Sequence, residues 1–441
     1  MTKKTDKIFT EYSFPKDFLW GASTSGHQVE GGNFDQWTVY ELDNASELAQ
    51  TAPDRLRWMP DWMEFKDQAE TPENYVAGKG VDHYRRYGED FKILKKLNLN
   101  SFRFGIEWSR VEPDQGVWDK KEFDHYHNYI AELKKLGIEP IINLWHWTQP
   151  VWFEEMGGFS RSSNIECFVR FARKIAEEFG DDITYVLTIN EPNVYSTLSY
   201  MAGEWPPQQK NPIKFGLTYY NLAKAHNRAY EAMKSVKPHL LVGPATQYGN
   251  ALPKRPGHWL DTRVAKFANY FWNWWWTDRI RKHVDFIGFN YYFTDYWQGF
   301  KRDNPSNPHN DLGWYMEPAG ISDVLVNAWM RYRKPIMVTE NGVADANDKY
   351  RQWWLEETMH ALMVARKAGV NLIGYMHWSL LDNFEWKYGW WPKFGLIKVD
   401  RERDMKRIVR PSAIWWSKFL KNIKRILQTQ ICIVGGFQVE N

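Results

Sequence analysis

The sequence predicts a single (β/α)8 TIM barrel, in which eight parallel strands alternate with helices. Three observations support this fold class: short apolar segments recur along the chain, longer amphipathic stretches follow them, and no linker rich in Gly, Ser or Pro divides the sequence. The 441 residues would suffice for two average domains, but barrels of this type routinely form one unit of that size. We therefore expect one barrel domain over residues 1–420, followed by a tail, residues 421–441, whose role is unassigned.

The predicted strands are short and apolar. They are Phe18–Ala22, Asn100–Gly105, Pro140–Leu144, Thr184–Ile189, Leu240–Pro244, Phe286–Tyr291, Pro335–Thr339 and Leu372–Met376. The intervening stretches have helical periodicity, most clearly in Glu122–Leu136 and Asn164–Phe179. Eight such repeats favour a closed barrel over an open parallel sheet.

Composition excludes several classes of protein. The net charge is only +3 and the basic residues are dispersed, so we expect no nucleic-acid partner. The two cysteines, Cys167 and Cys432, fit neither a disulfide framework nor a zinc pattern, which favours a reducing cytoplasm. The first 20 residues lack the apolar core of a signal peptide, and no apolar run approaches the roughly 20 residues of a membrane span.

Polar and aromatic residues cluster at or just beyond the C-terminal ends of the predicted strands. They are Gln28, Arg103, His146, Asn190, Glu191, Asn290, Tyr292, Glu340 and Trp378. Only the fifth strand contributes no obvious candidate. Because barrel enzymes build their active sites on this face, and packing alone would not confine such residues to it, we expect a catalytic site there.

Two of these residues are glutamates at strand tips, in TINEPN (residues 188–193) and VTENG (residues 338–342). A lone glutamate in such a place is most often an ion-pair partner or a solvated loop residue. A pair supplies what glycosidic cleavage needs, namely an acid that protonates the leaving oxygen and a carboxylate that attacks the anomeric carbon. The sequence therefore offers the two carboxyl groups that such a reaction requires.

The segments around these glutamates resemble those of family 1 glycoside hydrolases. In family order the other matching segments are FPKDFLWGASTSGHQVEGG, FRFGIEWSRVEP, NLWHWTQP, DFIGFNYY, WSLLDNFEW and FGLIKVD. The resemblance covers nearly the whole chain. It implies a retaining β-glycosidase that hydrolyses terminal non-reducing β-D-glycosyl residues by double displacement. This mechanism needs no cofactor, and the sequence has no HxxxH-type cluster, so we expect no metal.

The resemblance also implies a role for each candidate residue. Glu340 would be the nucleophile and Glu191 the acid/base. The residues implied to bind the sugar are Gln28, His146, Asn190, Glu385 and Trp386, with Trp378 stacking beneath the ring. The residues implied to surround the nucleophile are Arg103, Asn290 and Tyr292. Strand geometry supports Tyr292 over Tyr291, because alternate residues share a face and Asn290 is already assigned to the site.

Electrostatics would separate the roles of the two glutamates. An arginine and a phenol beside Glu340 favour its ionised form. Retaining enzymes hold their two carboxyl groups about 5 to 5.5 Å apart, a distance at which two negative charges repel each other. We therefore expect the pKa of Glu191 to be raised.

Glu385 bears on the choice of sugar. The resemblance places it against the 4- and 6-hydroxyls, where a carboxylate accepts two hydrogen bonds and repels a phosphate dianion. The branch of the family that acts on 6-phosphorylated sugars typically has serine there, followed by a lysine and a tyrosine. The sequence therefore predicts unphosphorylated β-glucosides as substrates, with β-galactosides as a second class. A glycosyl-transferring enzyme would use the same intermediate and is not distinguished from a hydrolase.

Some features depart from the family pattern or allow alternatives. Lys393 stands where arginine is usual, and Gly26 and His27 stand where alanine and tyrosine are common. The long segment of residues 41–80 is expected to be a lid over the substrate or a surface excursion. FWNWWW, Phe271–Trp276, is interpreted as buried packing before the sixth strand; the alternatives are peripheral contact with a membrane or a grip on apolar aglycones.

Overall fold

Eight parallel strands close into a barrel, which confirms the predicted fold class. The structure is a computed structural model that describes residues 14–435 and side chains up to residue 423. The barrel strands are Leu19–Ser23, Ser101–Gly105, Glu139–Asn143, Tyr185–Asn190, Leu241–Pro253, Ile287–Gln298, Ile336–Asn341 and Leu372–Trp378. Each pairs in parallel with the next, and the eighth pairs with the first to close the ring.

Helices surround the barrel. The longer ones are Gln36–Gln50, Trp62–Ala69, His83–Lys96, Lys120–Lys135, Ile165–Phe179, Pro212–Val236, Trp259–Asn269, Ile321–Tyr332, Arg351–Lys367 and Pro411–Gly435. Short α-helices are Gly26–Val29, Ala52–Leu56, Trp108–Val111, Val151–Glu155, Pro192–Ser196 and Thr277–Ile280. Two π-helices, Thr197–Ala202 and Tyr270–Trp274, lie on the same side of the barrel as the strand C-termini.

The shorter elements are single helical turns and strands outside the barrel. The 3-10 turns are Pro72–Tyr75, Gly158–Ser160, Ser162–Asn164, Pro318–Gly320 and Trp386–Tyr388. Lys301–Arg302 pairs with the end of the sixth strand, and Ile397–Asp400 pairs antiparallel with Lys406–Val409.

Apolar periodicity explains how the outer helices are held. In Ile165–Phe179 the buried residues recur every three or four positions, including Phe168, Phe171 and Ile175. Such a stripe buries one helix face against the strands. A separate cluster, including Ile141, Leu187 and Met337, fills the barrel interior. The barrel is therefore a packed core that presents its site only at one end.

The fifth and sixth strands run well beyond their predicted ends at Pro244 and Tyr291. After their other neighbours have ended, they continue to pair with each other, from Gly249 with Phe293 to Pro253 with Trp297. Pro244 looked like a terminator, but within a strand a proline removes only its own donor. The result is a two-stranded extension above the barrel rim, which we call the strand 5–6 extension.

The segment of residues 41–80 packs behind the site. Its side chains Leu56, Trp62 and Phe65 form one apolar cluster with Trp378 and Trp391. The rings of Phe65 and Trp391 stack with centroids 3.8 Å apart. No residue of this fully described segment lines the cavity of the site, so it supports Trp378 and does not cover the substrate mouth.

The chain ends lie partly outside the described structure. Residues 1–13 and residues 436–441 are outside it. The prediction about a signal peptide falls largely on the first of these ranges, and the second is part of the predicted tail. The final helix, Pro411–Gly435, runs across the predicted boundary at residue 420, and the division into barrel and tail stays a prediction. From residue 14 to residue 435, no helix has both the length and the apolar character needed to cross a membrane.

Candidate active site

A cavity of about 950 Å³ opens at the C-terminal ends of the barrel strands, near the upper end of the roughly 300–1,000 Å³ usual for small-molecule sites. Seven predicted site residues line it: His146, Glu191, Tyr292, Glu340, Trp378, Glu385 and Trp386. The other four are completely buried near this wall: Gln28, Arg103, Asn190 and Asn290. The structure thus brings the predicted residues of distant segments into one place.

Glu340 lies on the seventh strand and is held by two donors. Arg103 donates to Oε1, and the Tyr292 hydroxyl donates to Oε2 at 2.9 Å. Arg103 is itself completely buried and donates from Nη2 to Asn190 Oδ1 at 2.7 Å. Burial raises the pKa of Glu340, while the charge of Arg103 and the bonds from Arg103 and Tyr292 oppose that rise. The site therefore orients this carboxylate and favours its ionised form more than burial alone would.

Glu191 sits in a different environment. It immediately follows the fourth strand, with φ of 43° in the left-handed region, and precedes the helix Pro192–Ser196. Such a conformation costs on the order of 1–3 kcal/mol and recurs at functional sites. Its Oε1 accepts one hydrogen bond, from Asn290 Nδ2 at 2.8 Å. Burial and then the negative charge of Glu340 raise the pKa of Glu191 well above its usual value, so this carboxyl group keeps its proton and is able to donate it.

An amide network connects the surroundings of the two glutamates. Asn290 Nδ2 also donates to Asn190 Oδ1 at 3.1 Å, and the Thr339 hydroxyl donates to Asn290 Oδ1 at 2.6 Å. Asn190 Nδ2 lies 3.2 Å from His146 Nε2. Burial and the charge of Arg103 lower the pKa of His146 well below its usual value, so the neutral ring accepts this bond. The relative positions of both carboxyl groups are therefore set by one set of buried side chains.

Aromatic rings form the walls of the inner cavity. Trp378 lies nearly parallel to His146, with ring centroids 5.5 Å apart, and is backed by the apolar cluster of residues 52–69. Trp386 packs against Trp147 at 5.1 Å and against Trp205 at 5.9 Å. Flat apolar faces beside oriented donors are what recognition of a sugar ring requires.

Glu385 and Gln28 are held by neighbouring protein groups. Asn383 donates to Glu385 Oε2 at 3.0 Å, and burial raises the pKa of Glu385 to about 8. Gln28 donates to the Phe384 carbonyl at 2.6 Å and accepts from Ser25 at 2.7 Å. These two bonds leave one N–H and one lone pair of the Gln28 amide, and its contact with a sugar hydroxyl stays a prediction.

Comparison with known proteins identifies the family. The sequence profile of glycosyl hydrolase family 1 matches residues 10–282 and 277–425. The chain belongs to glycosyl hydrolase family 1. β-Glucosidase A of Thermotoga maritima is 29% identical over 93% of this chain and 98% of its own length. The β-galactosidase of Saccharolobus solfataricus is also 29% identical, over 93% of this chain and 96% of its own length.

A solved structure agrees with this assignment. The β-glycosidase from Pyrococcus horikoshii superposes with a TM-score of 0.81 at 30% identity, covering 95% of this chain and 98% of that one. The family 1 chain is therefore a glycoside hydrolase with the retaining, glutamate-based mechanism of its family. The predicted family and enzyme class are confirmed, while the roles given to individual residues stay predictions.

His27, which departs from the family 1 pattern, belongs to a buried charged cluster behind Trp386. His27 lies 2.8 Å from Asp35 through Nδ1 and 2.6 Å from Glu41 through Nε2, and its ring stacks on Trp386 with an interplanar angle of 5°. Glu41 also accepts a hydrogen bond from the backbone of Ala77 at 2.8 Å. His27 thus connects the segment of residues 41–80 to an aromatic wall of the site.

The sequence prediction missed the outer part of the family 1 cavity. The fifth strand, which offered no candidate, contributes Gln247, and its side chain accepts a hydrogen bond from the Trp272 indole. The FWNWWW segment is only partly the buried packing that was predicted, because Trp276 is completely buried whereas Phe271 and Trp272 line the cavity. The signal that could have found this wall is the apolar spacing of Leu260, Val264, Phe267 and Phe271.

Proposed function

We propose that this enzyme hydrolyses unphosphorylated β-glucosides, and β-galactosides as a second class, with Glu340 as nucleophile and Glu191 as acid/base. The observation that carries the assignment is the asymmetry of the pair. Glu340 receives bonds from a buried guanidinium and a phenol, whereas Glu191 receives one amide bond and has its pKa raised further. Relatives named β-glucosidase and β-galactosidase support the sugar classes.

The reaction follows from these two preferences. As the Glu340 carboxylate forms a bond to the anomeric carbon, the bond from that carbon to the leaving oxygen breaks and Glu191 transfers its proton to that oxygen. Glu191, now ionised, takes a proton from water, whose oxygen attacks the same carbon and releases Glu340. Two inversions give net retention. The mechanism requires carboxyl groups about 5 to 5.5 Å apart.

The supporting residues act on position and charge. Arg103 and Tyr292 hold the attacking carboxylate in one orientation and offset its burial. Asn190, His146, Gln28, Glu385 and Trp386 are proposed to bind hydroxyl groups of the sugar, with Trp378 beneath its ring. Positioned donors and acceptors of this kind discriminate strongly against a substrate that lacks one hydroxyl, because they are then left unpaired.

Kinetics on paired substrates test this proposal. We expect kcat/KM for a nitrophenyl β-glucoside to exceed that for its 6-phosphate at least about 100-fold, because a buried charge without a partner costs several kcal/mol. Of the three cations that line the cavity, Lys387 and Arg302 are already paired with Glu204 and Asp295, and Arg263 lies on the outer helix Trp259–Asn269. The first sugar released should have the β configuration, measured by proton NMR. A higher kcat/KM for the phosphorylated sugar, or release of the α-anomer, would contradict the proposal.

Two variants of Glu385 test its role in the preference for the unphosphorylated sugar. Glu385→Ser should lower kcat/KM for the free glucoside and reduce the ratio of that value to the kcat/KM for the 6-phosphate, since it removes the carboxyl group that accepts one of the two bonds from Asn383 Nδ2. The conservative variant Glu385→Asp should retain the preference for the free sugar. If both variants leave the ratio unchanged, Glu385 does not face this part of the substrate.

We also propose a cytoplasmic location, with small-molecule glycosides as the partners. The support is a buried thiol, Cys167, with no disulfide partner among residues whose side chains are described. Peripheral contact with a membrane, the other interpretation of the FWNWWW region, would use the exposed rings Phe267 and Phe300 at the cavity mouth. Cosedimentation with phospholipid vesicles measures that contact directly.

A further inference from the structure

We propose that the outer half of the cavity binds a long hydrocarbon aglycone, so that the preferred substrates are β-glucosides of aliphatic alcohols and not of a second sugar. This inference rests on the proposed function, because Glu191 and Glu340 must cut the bond to that aglycone. It concerns the part of the cavity beyond the two glutamates. That part is bounded by the helix Trp259–Asn269, the two π-helices and the strand 5–6 extension.

One wall is an apolar stripe on a helix. Leu260, Val264, Phe267 and Phe271 follow one another at spacings of four, three and four residues and all line the cavity. A stripe with this spacing normally packs into a protein core. Here its members are half-buried or exposed, while the opposite side of the helix buries Asp261 and Ala265. The stripe therefore presents hydrocarbon to the cavity.

The walls around this stripe have the same character. Val194 and Leu198 come from the helix after Glu191 and from the first π-helix. Phe293 and Trp297 come from the strand 5–6 extension. π-Helical turns are rare and occur often at functional sites. In this cavity both π-helices contribute to the wall, so the irregular backbone lies where the substrate would sit.

The amide side chains of the outer cavity are engaged with the protein, whereas the Trp297 indole N–H has no hydrogen-bond partner within the described part of the chain. Asn269 donates to the Ala251 carbonyl at 2.7 Å and accepts from its amide at 3.1 Å, which pins the helix to the fifth strand. Asn250 donates to Asp323 at 3.2 Å. Gln247 accepts from Trp272 and donates to the Tyr248 carbonyl at 3.1 Å.

Most charged side chains of the outer cavity have a partner too. Arg302 lies 3.7 Å from Asp295, Lys387 is paired with Glu204, and the Arg263 guanidinium lies over the Trp259 ring, 5.5 Å from its centroid. A second sugar would present hydroxyl groups that need donors and acceptors, whereas a hydrocarbon chain needs none. The engaged polar groups and the apolar walls thus favour the hydrocarbon.

The cavity opens through an apolar rim. Phe267 is 68% exposed and Phe300 is 81% exposed, and both line the mouth. The turn that carries Phe300 is fixed to the neighbouring helix, because Gly299 donates its amide to Asp261 at 2.8 Å. Exposed aromatic residues that continue an internal apolar wall mark a ligand groove. A chain longer than the cavity would leave between these two rings.

A series of alkyl β-glucosides tests the inference. We expect kcat/KM to rise about twofold to threefold for each added methylene from butyl to about decyl, a little less than full burial of a methylene would give. Cellobiose should be a poorer substrate than octyl β-glucoside. All rates are measured below the critical micelle concentration, so that each substrate is monomeric. A rate independent of chain length would overturn the inference.

Variants locate the effect. Phe267→Ser combined with Phe300→Ser should lower kcat/KM for decyl β-glucoside about tenfold and leave nitrophenyl β-glucoside within about twofold. Both side chains are largely exposed, so the fold should tolerate the change. Met330→Ser, at a helix residue that is 60% exposed and outside the cavity, is the matched control and should change neither substrate. Equal losses in the control and the double variant would refute the assignment.

The same measurements separate this inference from the function on which it rests. If the enzyme cleaves no nitrophenyl β-glycoside at all, the proposed function fails. If it cleaves them but ignores alkyl length, only the hydrocarbon site fails. Decyl β-glucoside embedded in phosphatidylcholine vesicles provides the remaining arm: a chain-length effect seen only in vesicles would mean that the membrane, and not the cavity, binds the hydrocarbon.

Discussion

Glu340→Ala is expected to lower kcat on every β-glucoside by at least about 10⁴-fold, the order of loss that follows removal of a nucleophile. Among the side chains that the structure describes, no other carboxylate receives the bonds of both Arg103 and Tyr292. The variant should still fold, although Arg103 loses its buried partner, a change that typically costs about 3–5 kcal/mol. Initial rates and circular dichroism spectra of both proteins measure the two effects.

Small anions make this result specific. Azide or formate should enter the space left by the side chain, pair with Arg103 and attack the anomeric carbon. One inversion would then give a product of the α configuration. Glu340→Gln is the matched control, because it fills the same space and should be inactive without rescue. Rescue that yields a β-product would show that Glu340 is not the nucleophile.

Glu191→Ala is expected to divide substrates by their leaving group. Without a proton donor, alkyl β-glucosides should lose about 10²–10⁴-fold in kcat/KM, whereas dinitrophenyl β-glucoside, whose leaving group needs no proton, should lose little. The pH dependence of kcat/KM should also lose its basic limb, since the raised pKa of Glu191 sets that limb in the native enzyme. A plot of log kcat/KM against the leaving-group pKa measures the effect. Equal losses on all substrates would contradict the assignment.

The barrel and its catalytic face were predictable because their signals are local. Each strand is a short apolar run, and polar residues such as Arg103 and Glu340 lie within it or at its end. The fifth and sixth strands show the limit of such signals. Their extension depends on pairing between residues about 44 positions apart, as in Gly249 with Phe293, and no local pattern encodes that partner. The predicted fifth strand ended at Pro244, because proline often ends a strand, whereas the strand continues to Pro253.

The inner half of the site could be predicted from local sequence signals, and the outer half could not. The residues around Glu191 and Glu340 belong to motifs that the sequence displays openly. The outer wall is built from apolar residues. The sequence pattern of an apolar residue is the same whether its side chain packs inside the protein or lines a cavity. Trp276 and Trp272 lie four positions apart in one aromatic run, yet only Trp272 reaches the cavity. Tertiary context alone decides between them.

The buried His27 cluster makes the segment of residues 41–80 a unit whose attachment depends on pH. Burial alone would lower the pKa of His27, but the charges of Asp35 and Glu41 outweigh it and raise the pKa well above its usual value. Burial also raises the pKa of Glu41 in spite of His27. A group whose folded pKa is raised stabilises the fold most at low pH, and that contribution is lost as pH rises through the folded value.

This segment should therefore open locally at alkaline pH before the barrel unfolds, as a separate cooperative unit. Hydrogen–deuterium exchange, corrected for the intrinsic rate at each pH, would show protection falling over residues 41–80 while the barrel strands stay protected. His27→Tyr removes the cation that Asp35 and Glu41 share, so the segment should open at a lower pH than in the native protein. Parallel loss of protection across the barrel and the segment would show that the cluster does not govern this opening. Since Trp386 stacks on His27, a decline in sugar affinity at alkaline pH should accompany the opening, in addition to the effects of proton loss from Glu191 and Glu385.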